Sequence, residues 1–153
     1  MRQRSGLLLA LAILTGCGAV PTFDTHITRE LPPCPEAPRC VSSQSAEPDS
    51  HIAPFAVHNE FQWQYLQQLL IDLPRTKVIA QAKHYLHVEQ RSAIMGYRDD
   101  VQLLYQPCLQ RVDIRSAARI GYYDFQVNRQ RIENIRLAYL RRFAATPILE
   151  PAR

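Results

Sequence analysis

The hydrophobic period of this chain changes twice, and those changes restrict its fold more than any other feature. After Asn59, the residues Phe61, Tyr65, Leu66, Leu69, Leu70 and Leu73 recur at spacings of three and four. That spacing predicts a helix that begins on an Asn59 cap and stops before Pro74. From Thr76 the period becomes two, and residues 77–82, 85–91, 97–106 and 110–118 alternate as strands do, with Gly96 and Pro107 marking connections. On the last of these, Val112, Ile114, Ser116 and Ala118 share one face, and Arg111, Asp113, Arg115 and Arg119 the other. Beyond Gly121 the period returns to that of a helix, with Ile132, Ile135, Tyr139, Leu140 and Phe143 as its apolar stripe and Asp124 or Asn128 as its cap. The expected fold is α+β: a four-stranded antiparallel sheet packed with two helices, preceded by an extended, disulfide-pinned N-terminal segment.

The first residues read as an address rather than as fold. Arg2 and Arg4 precede an apolar run from Gly6 to Leu14 that is too short to span a bilayer, and Leu14, Thr15, Gly16 and Cys17 close it. L-T-G-C resembles the lipobox of bacterial lipoproteins, which implies lipid on the Cys17 sulfur and cleavage before it. The chain then divides into a signal peptide at 1–16, a tether at 17–33, one domain at 34–143 and a tail at 144–153. Gly18 stands where an aspartate would resemble an inner-membrane retention signal. The expected place is therefore the outer membrane, facing the periplasm, with the outer leaflet of the inner membrane as the alternative.

Without residues 1–16 the chain has 16 basic and 14 acidic side chains, a net +2 that gives no dense basic face for nucleic acid. The charge is unevenly placed: residues 17–60 carry a net −4 and residues 111–142 a net +5, so the two ends are expected to attract each other. The basic end also suits anionic headgroups. The expected partners are the membrane, through the anchor, and an anionic lipid or an envelope protein. From Gly18 to about Pro54, proline and serine are frequent and no period is sustained, so this stretch is expected to wrap rather than build core. Cys34 and Cys40 bracket a loop containing Pro35 and Pro38, which favours a disulfide in an oxidising compartment; Cys108 is then free and expected to be partly buried. The cysteine spacing does not suit zinc, and no metal or cofactor is expected.

Two stretches together resemble a known family, the domain of unknown function 1499. One is C-P-E-A-P-R-C-V-S-S from Cys34 with D-S-H-I-A-P from Asp49; the other is G-Y-R-D-D-V from Gly96 with R-S-A-A-R-I-G-Y-Y-D-F-Q-V-N-R-Q-R-I from Arg115. The resemblance spans about residues 34–140 and implies an exported or membrane-associated α+β domain without an established activity. Ala118, Gln126 and Arg39 stand where the family usually has serine, glycine and asparagine.

The densest polar cluster in the sequence is Asp99, Asp100, Arg115, Arg119, Asp124, Asn128, Arg129 and Arg131. Its structural reading is that the acids and guanidiniums pair where sheet meets helix. Its functional reading is a cradle for phosphate or carboxylate, formed by Arg115, Arg119 and the amides of a helix starting near Asn128. Asp99 shares strand parity with Val101, Leu103 and Tyr105, so it points at the core and needs a partner, and its neighbour Asp100 points the other way. Ser42, Ser43, His51, His84 and His87 supply nucleophile and base types without a recognisable catalytic spacing and are expected in loops or at the surface. These readings favour a non-catalytic binding or scaffold module over an enzyme or an anion- or lipid-handling protein.

Overall fold

The computed structural model describes residues 30–144. In chain order it contains β1 (Cys40–Ser42), β2 (Phe55–Ala56), α1 (Glu60–Ile71), β3 (Thr76–Ala82), β4 (Tyr85–Arg91), β5 (Arg98–Gln106), a 3-10 turn (Pro107–Leu109), β6 (Arg111–Ala118) and α2 (Val127–Ala144). The signal peptide, Cys17, most of the tether and all but the first residue of the tail lie outside the described residues.

The α+β class holds, but the sheet has six strands rather than four. They are antiparallel, in the order β1-β6-β5-β4-β3, and β2 also pairs with β6. β1 lies against one end of β6 (Cys40 opposite Ala117, Ser42 opposite Arg115), and β2 against the other (Phe55 opposite Val112). The two act as one edge strand interrupted by an excursion through residues 43–54. With three and two residues, neither is long enough to display a period. Within the stretch expected only to wrap, Val41 and Ile52 join the main core, which corrects that expectation, and Phe55 and Val57 follow them just beyond it.

Local chemistry sets the helix ends. The Asn59 side chain accepts a hydrogen bond from the Gln62 N–H at 2.9 Å and starts α1. The Asp124 carboxylate accepts from the backbone N–H groups of Gln126 (3.0 Å) and Asn128 (3.1 Å), so Asp124 rather than Asn128 caps α2. Both helices lie on one face of the sheet. Trp63, Leu66 and Leu70 of α1 and Ile132, Ile135 and Tyr139 of α2 pack on Leu86, Val88, Val101, Leu103, Val112 and Ile114. The Trp63 indole N–H donates to the Lys83 carbonyl at 2.9 Å, which lets that large ring be fully buried without an orphaned donor. Leu140, expected in the α2 stripe, is exposed instead, because α2 turns only a narrow face to the sheet.

Cys34 and Cys40 form the expected disulfide, with Cα atoms 5.6 Å apart. Cys108 is free as expected, but it is exposed rather than partly buried, because it sits in the 3-10 turn that projects between β5 and β6.

Candidate functional site

Strand parity divides the predicted polar cluster between the two faces of the sheet. On the helix face, Asp99 of β5 accepts from Arg131 of α2 at 2.5 Å, so the inward carboxylate has the partner it needed. The same guanidinium donates to the Asn128 side-chain oxygen (2.6 Å) and to Ser116 Oγ (3.1 Å), and Ser116 Oγ–H donates to that Asn128 oxygen at 2.6 Å. The Asn128 amide nitrogen in turn donates to Asp124 (2.7 Å) and to the Arg39 carbonyl (3.2 Å). Ser116 and Asn128 have no exposed surface. This network fastens the start of α2 to β5, β6 and the residue before β1. Burial raises the Asp99 carboxyl above its ordinary value by more than the Arg131 charge and hydrogen bond lower it, and the nearby Asp124 and Asp100 add to the rise.

On the opposite face, Asp100 sits between His87 of β4 and Arg119 at the end of β6. His87 Nε2 is 2.7 Å from Asp100 Oδ1, and Arg119 grips the carboxylate with two bonds of 2.8 and 2.9 Å. The third Arg119 nitrogen lies 2.8 Å from Glu89, which also pairs with Arg91 at 2.8 Å. Burial works to raise the Asp100 carboxyl, but the hydrogen bonds and charges of His87 and Arg119 outweigh it and bring the value down to about 2. Glu89 is likewise held below the ordinary carboxylate range, because Arg91, Arg119 and Arg98 together overcome its burial. The hydrogen bonds that Arg119 donates to Asp100 are the main reason that its own pKa is raised. His87 is therefore buried and paired, not at the surface.

Beside this group, Gln102 donates to the Tyr85 hydroxyl at 2.9 Å and accepts from Arg115 at 3.2 Å. Arg115 is buried, has no carboxylate partner among the described residues, and reaches only the Pro33 carbonyl besides Gln102. Burial lowers its pKa. Because Arg115 and Arg119 lie on the face away from Asn128, the three do not form the expected anion cradle. The cause is the two-residue period of β6, which turns Ser116 toward the helices and its neighbour Arg115 away from them.

Arg129 also departs from the cluster. It donates to the carbonyls of His51 (2.9 Å) and Asp49 (2.8 Å), and Arg136 donates to that of Pro54 (3.0 Å) while its guanidinium lies 4.4 Å above the Phe55 ring. The basic end thus does hold the acidic N-terminal segment, through backbone carbonyls more than carboxylates. The remaining candidates are dispersed. Ser43 donates to Asp113 at 3.0 Å, the His51 ring contacts the Ser45 carbonyl, and His84 meets the edge of Tyr105.

Two hollows remain. A trough of about 1650 Å³ runs beside the N-terminal segment, between residues 43–50 and Tyr122, Tyr123 and Arg129. A smaller cleft of about 370 Å³ lies between α1 and α2, lined by Leu69, Leu73, Val127, Ile135 and Arg131. The sequence signal for the trough was the proline- and serine-rich stretch itself, whose lack of period conceals which side chains face inward. Among the described residues, no group of three His, Cys, Asp or Glu side chains is placed to hold a metal, and no helix is long and apolar enough to cross a membrane.

Comparison with known proteins agrees with the motifs. The family model described as "Protein of unknown function (DUF1499)" matches residues 30–139. No curated protein and no solved structure matches the chain. The chain belongs to the DUF1499 family, because the matched span covers well over half of it.

Proposed function

We propose that this DUF1499 domain is a non-catalytic binding module, held at a bacterial envelope membrane by lipid on Cys17 and facing the periplasm from the outer membrane. The carrying observation is the internal use of its reactive groups. Asp99, Asp100, Glu89, Asp113 and Asp124 each accept from donors within the fold, and no hydroxyl or thiol hydrogen-bonds to His87 among the described residues. Catalysis by a nucleophile or general base needs such a pair within hydrogen-bond reach of a substrate. What stays open is the trough, whose size suits an extended ligand and whose lining of prolines, serines and two tyrosines offers backbone carbonyls and aromatic faces. The L-T-G-C run supports the anchor, since two or three acyl chains at about 0.8 kcal/mol per buried methylene attach a protein stably where one chain does not.

The test is native mass spectrometry of the full chain extracted in mild detergent from its own envelope. A diacylglyceryl mass on the Cys17 peptide and a second, non-covalent mass are expected. Ala46→Trp, which fills the trough from an exposed turn, should remove the second mass and spare the first. A protein without lipid on Cys17 would refute the anchor, and a bound mass indifferent to Ala46→Trp would refute the trough.

A further inference from the structure

Two loops meet at one end of the sheet. Residues 92–97 join β4 to β5, residues 119–126 lead from β6 to α2, and the Arg119 N–H donates to the Arg98 carbonyl at 3.0 Å between them. Together they expose Ile94 (93%), Met95, Tyr97, Ile120, Tyr122 (77%) and Phe125 (78%). Single exposed apolar side chains are ordinary, but six on two adjoining loops form a patch. The backbone presents it actively: Phe125 is held at φ 55° and Gln126 at φ 65°, a conformation that their side chains disfavour and that the Asp124 carboxylate stabilises.

The exposed charges nearest the two loops are mostly basic, with Asp72 the exposed acid three residues before Arg75. Arg75 in the turn before β3, Arg91 at the end of β4 and Arg98 at the start of β5 flank the patch. The carboxylates of this end, Glu89, Asp99 and Asp100, are buried and paired beneath, while Asp124 is half-buried against the start of α2. Apolar tips, tyrosines and a collar of arginines match the three layers of an anionic bilayer surface: acyl boundary, headgroup level and phosphate. We propose that these two loops dock on an anionic lipid surface, with Ile94, Met95 and Phe125 below the headgroups, the tyrosines among them, and Arg75, Arg91 and Arg98 on phosphates. The contact shares Tyr122 with the rim of the trough and does not require lipid on Cys17.

The experiment uses the full chain with vesicles of phosphatidylethanolamine and phosphatidylglycerol whose acyl chains carry bromine, a short-range quencher of tryptophan. Wild type reports only the buried Trp63. Phe125→Trp places a second indole at the loop tip, and Leu140→Trp places one on the exposed side of α2, about 20 Å away along the helix. The added emission of Phe125→Trp should fall at least twofold on brominated vesicles and recover when phosphatidylcholine replaces phosphatidylglycerol, while that of Leu140→Trp stays unchanged. Three results would overturn the proposal. These are no added quenching at position 125, equal quenching at 140, and a blue shift at 125 that needs no lipid and grows with protein concentration, which would assign the loops to a second copy of the chain.

Discussion

Gln126 carries a backbone angle that its side chain disfavours, immediately after Phe125 does the same. A left-handed angle costs a residue with a Cβ about 1–2 kcal/mol, and glycine recovers most of that while losing roughly 0.5–1 kcal/mol of chain entropy. Gln126→Gly is therefore expected to stabilise the fold by about 0.5–1 kcal/mol, read as a higher urea midpoint with an unchanged slope. A lower midpoint would mean that the glutamine side chain contributes more than its backbone loses.

At the scale of elements, the two arginines at the end of β6 do different work. Arg119 crosses β5 to reach β4, so one guanidinium joins Asp100 and Glu89 and ties three strands together. Arg119→Met would leave two buried carboxylates without it, and a loss of about 3–5 kcal/mol is expected. Arg115 is as deeply buried but faces only the Gln102 and Pro33 oxygens, so Arg115→Met removes an uncompensated charge along with two hydrogen bonds. Its expected change is less than about 1 kcal/mol, because methionine fills the same space and the relief of desolvation offsets the lost bonds. Parallel denaturant titrations of the two variants check the pair, and equal losses would contradict the assignment.

At the scale of the whole molecule, Asp100 makes stability depend on pH. Its folded value of about 2 lies below the ordinary 3.8, so its stabilisation is fully present above about pH 4 and disappears as pH falls toward 2. The amount is about 2 kcal/mol. Asp99 acts in the opposite sense: its folded value is raised, so the contribution it makes in acid is lost as pH rises through that value. Thermal melts between pH 5 and pH 2.5 should show a decline in wild type that is much shallower in Asp100→Asn, which begins from a lower stability at pH 5. An identical slope in the variant would place the acid sensitivity elsewhere.

Much of this architecture was legible in the chain because it depends on neighbours in sequence. The α1 cap at Asn59, the change of period at Thr76, four of the six strands and the opposite orientations of Asp99 and Asp100 all follow from side-chain spacing within a few residues. The Cys34–Cys40 bridge is local in the same way. Other features required the fold. β1 and β2 exist only because the edge of β6 offers them partners some 60 to 80 residues away in sequence. His87 is buried with Asp100 as its partner, diagonally placed on β5 opposite Glu89, and Arg129 and Arg136 find backbone carbonyls in a segment about 80 residues earlier. Period and capping are energies of adjacent residues and can be read in order. Which buried charge meets which partner is decided when distant strands close, and the pleat of β6 then sends Arg115 and Ser116 to opposite faces of one sheet.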